Sequence, residues 1–310
     1  MPVSMPNNQQ VKYPARPIKR VIYSILTLLV LITLGVGVFT GYIKPRLIAY
    51  SVNENIEAIN IISGYTKQFE QHIIQAIDDQ DVLTVNKQSQ ISSQLDSLYS
   101  RALESKNNLD QGYFESTREF YATVFESFNS FLNLLTLTDA YLDYQFCLTN
   151  SYDSVLQTQN LTKSLFDTAF TTNSLVEAGD VFNQIATIYQ LRIDIYTDLG
   201  MCFGKDQVMS LSEQNKTIID NYVVYLENQK SVLDSISTDV VAADDSAIEL
   251  KIQQLSENEL SSVPFFGSDE FEAALYMPLE IIQYKNKELV NSYSRVSDDL
   301  RNIKAKYQLS

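Results

Sequence analysis

Glycine and proline are scarce in this 310-residue chain, nine and seven respectively. Tight turns are correspondingly few, which argues against an all-β domain of many short strands. There is a single histidine, His72, so His-based zinc sites and multi-histidine sites are excluded. A Ser–His–acid triad would have to use His72, and no G-x-S-x-G elbow accompanies it. No Gly-rich phosphate loop, Walker pattern or dinucleotide fingerprint occurs. The acid clusters at Asp78–Asp81, Asp244–Asp245 and Asp298–Asp299 lack calcium-loop spacing, and helix ends or solvated faces account for them. These absences point away from an enzyme, and no cofactor or metal is expected.

Acidic residues are also missing from the first 44 positions, which hold five of the 23 Lys+Arg and none of the 38 Asp+Glu. The remainder is therefore strongly acidic, at about −20. Such a surface repels nucleic acid and anionic headgroups, so nucleic acid is not an expected partner.

Within the acid-free segment, residues 21–43 (VIYSILTLLVLITLGVGVFTGYI) contain no charge, proline, Asn or Gln. As a helix this run is about 34 Å long, enough to cross a hydrocarbon core of about 30 Å. A lone spanning segment must be helical, because lipid leaves no other way to satisfy its backbone. Tyr23 and Tyr42 fall near its ends, where amphipathic rings favour the interface. Lys12, Arg16, Lys19 and Arg20 precede it and only Lys44 and Arg46 follow closely, which favours a cytoplasmic amino terminus. The apolar core is longer than that of a secretory signal and no A-x-A site follows, so an uncleaved anchor is expected. Gly37 and Gly41 form a G-x-x-x-G pair, a pattern that lets two membrane helices approach closely and self-associate.

The expected organisation is a disordered basic cytoplasmic tail (residues 1–20), a transmembrane helix (21–43) and an extracytoplasmic helical domain (44–310). The fold class is all-α: an elongated bundle of about six to eight helices with a coiled-coil-like final helix. From Pro45 a long helix carries Ile48, Val52, Ile59, Ile62, Phe69, Ile73 and Ala76 on one stripe, with Asn55 and Thr66 in two of its slots. The acids from Asp78 to Asp81 end it. A second helix carries Ile91, Leu95, Leu98 and Ala102, and the break 107–112 (NNLDQG) follows. A third, over 113–150, is rich in aromatics; a shorter helix is placed at 152–170. Capping-box pairs Ser174/Glu177, Ser210/Glu213 and Ser246/Glu249 place helices near 175–200, 211–237 and 247–257. Gly200 and Gly204 bracket the first of these ends.

The last helix, about 269–308, carries Leu275, Leu279, Ile282, Asn286, Leu289, Tyr293, Val296, Leu300, Ile303 and Tyr307 at alternating spacings of four and three. That is a 3.5-residue repeat, with Asn286 as a register-fixing polar residue and Pro278 marking a kink or a start.

Three sets of candidate contact residues follow. Phe265 and Phe266, beside Pro264 and Gly267, either tuck over the bundle end or form an exposed tip that docks a partner. Leu289, Tyr293 and Leu300 would contact a second copy or another protein if the last helix faces outward. Phe120, Phe128 and Phe131 are core, or line a small-ligand pocket.

Cys147 and Cys202 are the only cysteines. An even count in an oxidising compartment suggests a bridge, and two helix ends at one end of a bundle would permit it; buried free thiols are the alternative. The triplets Asn160-Leu-Thr162 and Asn215-Lys-Thr217 match the glycosylation acceptor pattern and carry no argument by themselves. The functional expectation is a single-pass, non-enzymatic binding or scaffold protein of the cell envelope, held by lipid at residues 21–43. The alternative is a sensor-like bundle that binds a small ligand and signals through a separate membrane partner.

Overall fold

The computed structural model describes residues 17–78, 85–109, 115–172, 174–203, 209, 213–242, 245–257, 265–266 and 268–306. Among them there is no strand. Seven continuous helices follow one another among the described residues. The first, α1, is α-helical over Pro17–Val38, makes a π turn at Phe39–Ile43, is α-helical over Lys44–Phe69, makes a second π turn at Glu70–Ile74 and closes with Gln75–Asp78. After it come α2 (Val85–Asn107), α3 (Glu115–Thr171), α4 (Leu175–Cys202), α5 (Glu213–Ala242), α6 (Asp245–Glu257) and α7 (Asp269–Lys306).

The apolar run occupies the start of α1, and its side chains from Tyr23 to Ile43 are exposed all round. Its hydroxyls bond within the helix: Thr27, Thr33 and Thr40 donate to the carbonyls of Tyr23, Leu29 and Val36 at 2.7, 2.8 and 2.7 Å. Self-satisfaction of this kind is what an apolar surrounding requires. Pro45 has no N–H to offer the carbonyl of Gly41, and its ring crowds that carbonyl. The π turn just before it, closed by Lys44 N–H donating to Phe39 O, widens the helix there. Gly37 and Gly41 are both exposed, and a Cβ on either would meet nothing within 4 Å.

The chain divides into two compact units whose boundaries fall inside α1, α3 and α7 and between α2 and α3. One comprises residues 1–58, 109–124 and 296–310; the other comprises 59–108 and 125–295. The division also separates charge. The first unit holds 10 basic and 7 acidic residues, the second 13 basic and 31 acidic, a net −18.

In the first unit Ile48, Val52, Ala58, Val124, Val296 and Leu300 are buried, and Asn55 donates its amide to Ser51 O at 2.8 Å. In the second, the stripe of α1 continues through Ile59, Ile62, Thr66, Phe69 and Ile73. It then passes to Ile77, leaving Ala76 half-buried, because the second π turn shifts the inward face by one residue. Phe131 meets Phe69 edge to face at 6.1 Å, and Phe128 and Leu135 are sealed from solvent beside them in sequence. The four apolar positions of α2 are all buried.

Helix α3 runs unbroken through Asn150 and Ser151, where two helices were expected. Neither residue is a strong breaker, and Leu148, Thr149 and Val155 are buried across the supposed gap. Likewise α7 runs straight through Pro278, which is neither its start nor its end. Proline removes the donor that Ala274 O would otherwise receive. Tyr144 of α3 donates its hydroxyl to that carbonyl at 2.8 Å, and Tyr141 donates to Leu275 O at 2.9 Å. Burial holds both phenols well above the usual tyrosine range, so both remain donors.

The heptad seam of α7 faces inward within this chain. Leu275, Leu279, Ile282, Asn286, Tyr293, Val296 and Leu300 are buried, Leu289 is half-buried, and Tyr293 donates to Ser127 O at 3.4 Å. Tyr293 and Leu300 are thus core residues, and Leu289 is half-buried on the same seam. The amide oxygen of Asn286 is buried with no hydrogen-bond partner. Tyr307, the tail 1–16, Asp79–Asp81, Gly204, Ser210, the loop residues 258–264 and Gly267 lie outside the described residues.

Candidate functional site

Helices α4 and α5 pack along each other but not evenly. Ser174 caps α4, its hydroxyl accepting from Glu177 N–H, as the capping pattern expected. Near this end Gly179 faces α5 closely: a Cβ placed there would lie 3.0 Å from Val240 Cγ1, tighter than ordinary contact, so glycine eases the approach. At the other end of α4 a Cβ on Gly200 would meet nothing within 4 Å. The pair opens there into a groove of about 650 Å³. Its α4 wall is Tyr196, Thr197, Gly200 and Phe203; its α5 wall is Lys216, Ile219, Asp220, Val223, Val224 and Glu227. The spacing of the α5 residues, three and four apart, puts them on one helix face.

Beneath the groove the packing is aromatic. Tyr196 meets Tyr222 edge-on at 4.8 Å and Phe266 at 5.3 Å; Phe266 lies 5.3 Å from Phe271 and 5.9 Å from Tyr152. Phe265 meets Phe203 at 6.2 Å and Phe271 at 5.7 Å. Phe265 and Phe266 are therefore buried, each 4% exposed, and are not an exposed docking tip. These seven rings bury more apolar area together than two rings could on a loop in water. Phe265 adopts φ 69°, an uncommon left-handed conformation for a bulky residue. The turn it makes lets Ser268 accept from Phe271 N–H and so start α7.

Arg192 sits on α4 at 6% exposure. It donates from Nε to Thr158 Oγ1 at 3.0 Å and from an NH2 nitrogen to Thr162 Oγ1 at 2.9 Å. Its guanidinium also lies 5.2 Å from the Tyr189 ring centroid and bonds the Tyr222 side chain. Burial raises the Tyr222 phenol, and the neighbouring cation partly opposes that rise. No carboxylate among the described residues forms an ion pair with Arg192, so neutral oxygens and an aromatic face hold this charge and tie α3, α4 and α5 together. The signal was present in the sequence. Ile185, Tyr189, Arg192, Tyr196 and Leu199 repeat at four and three, and a lone charge sits on that seam. The hydroxyl of Thr162, third residue of one glycosylation triplet, is taken up in this clamp.

Cys147 and Cys202 are joined as a disulfide, with Cα atoms 5.4 Å apart. The bridge does not connect two helix ends, as the sequence reading supposed. Cys147 lies within α3 and Cys202 is the last residue of α4, so the bond fixes the open end of α4 to the side of α3. The remaining predicted residues are not brought together. Phe128 and Phe131 are fully buried packing residues, Phe120 is half-buried, and none of the three lines the groove. His72 is exposed, and among the described residues no group of three or more His, Cys, Asp or Glu could hold a metal. Ser246 lies inside α6, which starts at Asp245, so the third capping pair does not mark that start.

Comparison of the chain with protein families, curated proteins and solved structures found no match.

Proposed function

We propose that the chain is a single-pass membrane protein whose helical body lies outside the cytoplasm and acts by binding rather than by catalysis. The observation that carries the reading is the start of α1. Its most apolar stretch has none of its surface buried inside the protein, and it is long enough to cross a membrane. A contiguous apolar surface of that size is far larger than a water-soluble monomer carries, and lipid is the solvent that suits it. The excess of basic residues before the run supports a cytoplasmic amino terminus. The disulfide supports an oxidising compartment for the body.

A protease added to intact cells tests the topology. Digestion of the body with survival of an epitope at residue 1 is the expected result; a carboxyl end protected until the cells are lysed would overturn it. Within the binding class, the seam of α7 and the Phe265–Phe266 pair are occupied internally, which weakens the scaffold form of the reading. The groove between α4 and α5 favours its sensor-like form, in which a small ligand is bound.

A further inference from the structure

The α5 wall of the groove has an order of its own. Asp220 and Glu227 are exposed and lie seven residues apart, two turns or about 10 Å along the helix. Val223 and Val224 fill the turn between them on the same face, and Ile219 is beside Asp220. Lys216, the one cation on this wall, is paired with Glu213 at 2.8 Å. Among the described residues neither Asp220 nor Glu227 forms an ion pair. Opposite them stand Tyr196, which is buried, and Phe203, which is half-buried. Past Lys216 the groove therefore presents a carboxylate, an apolar middle and a second carboxylate. It belongs to the unit that carries −18.

Each feature selects among ligands. Two carboxylates about 10 Å apart cannot share one metal ion, whose oxygen ligands lie within about 2.6 Å of it. Anions are repelled by the rim and by the field of the acidic unit. A single ammonium would use one end only and leave the apolar strip uncovered. A linear dication places an ammonium at each carboxylate and its methylenes over Val223 and Val224. We propose that the groove binds linear aliphatic diamines and longer polyamines. This names the ligand class of the sensor-like reading. It does not depend on membrane topology, because it concerns one face of one helix pair.

Isothermal titration of the full chain in nanodiscs of zwitterionic lipid tests it, using diaminobutane through diaminooctane, spermidine and hexylamine. Affinity is expected to rise with chain length to an optimum, with diaminohexane binding more tightly than hexylamine. Asp220→Asn and Glu227→Gln should each weaken diamine binding by about 1.5- to fivefold, the range for a partly exposed ion pair. Gly200→Leu should weaken it more than either, by filling the groove, while leaving thermal stability unchanged or higher, since leucine favours helix and meets open space there. Asp167→Asn and Glu280→Gln remove equal charge elsewhere on the same unit and should change nothing. Equal losses from those two controls would mean diffuse counter-ion binding and overturn the proposal. So would indifference to Gly200→Leu, or a monoamine that binds as tightly as the diamine. A failed topology test would leave all these outcomes readable.

Discussion

Pro278 and Tyr144 together offer a sharp test of how the last helix tolerates its proline. In an ordinary helix Ala274 O would accept from the N–H four residues on; here that residue is Pro278, and the Tyr144 hydroxyl donates instead at 2.8 Å. Tyr144→Phe removes one hydroxyl and leaves a carbonyl without a partner in packed surroundings. The expected loss is about 1–3 kcal/mol, the desolvation penalty of an orphaned acceptor rather than the smaller net worth of a hydrogen bond. For a unit of this size, each kcal/mol lowers Tm by about 2–4 °C. Pro278→Ala returns an N–H to Ala274 O, so in that background the phenol is no longer needed. Tyr144→Phe should then cost well under 1 kcal/mol, giving a coupling energy on the order of 1 kcal/mol or more. Urea unfolding of the four proteins, followed by circular dichroism in one detergent at a fixed m value, measures it. If Tyr144→Phe costs the same with and without the proline, within about 0.5 kcal/mol, the hydroxyl does not compensate for the proline and the reasoning fails.

Three further outcomes are expected. Reduction of Cys147–Cys202, or its replacement by serines, should destabilise the body by about 4 kcal/mol on the chain-entropy estimate for a loop of 55 residues; an unchanged melting curve in reductant would contradict it. Burial raises the phenols of Tyr141, Tyr144, Tyr196 and Tyr293, so the folded state keeps protons that the unfolded chain releases near pH 10. Stability should therefore be fully present below that pH and fall above it, with a fraction of tyrosinate absorbance appearing only as the helical signal is lost; smooth titration of every tyrosine in a folded protein would refute this. Asn286→Leu replaces a buried amide whose oxygen has no partner with an apolar side chain of similar size on an apolar seam. It should raise stability by about 1–3 kcal/mol; a loss measured by chemical unfolding would show that the amide is needed.

Several features were legible in the sequence because they depend on local periodicity. The apolar span has no alternative surface to bury, and the 3.5-residue repeat of α7 specifies an inward face wherever its partner comes from. The stripes of α1 and α2 and the Ser174 cap follow for the same reason. The inward turn of Phe265 and Phe266 was open at that level. A pair of rings beside proline and glycine is compatible with a tip or a plug, and only the five other rings already converging there decide for the plug. The one-residue shift at the second π turn and the unbroken run of α3 past Asn150 were not legible, since both arise from packing on neighbouring helices.

By itself, then, the amino-acid order determined an all-helical chain with one lipid-compatible segment and a strongly acidic remainder, because helix periodicity and charge are properties of neighbours along the chain. Tertiary structure alone decided that the seam of α7 is covered from within, that Cys147 reaches Cys202, that a buried arginine ties three helices, and that α4 and α5 meet at Gly179 and part at Gly200. Those are relations between residues tens of positions apart. Their free energies depend on which surfaces meet, and no local pattern carries that information.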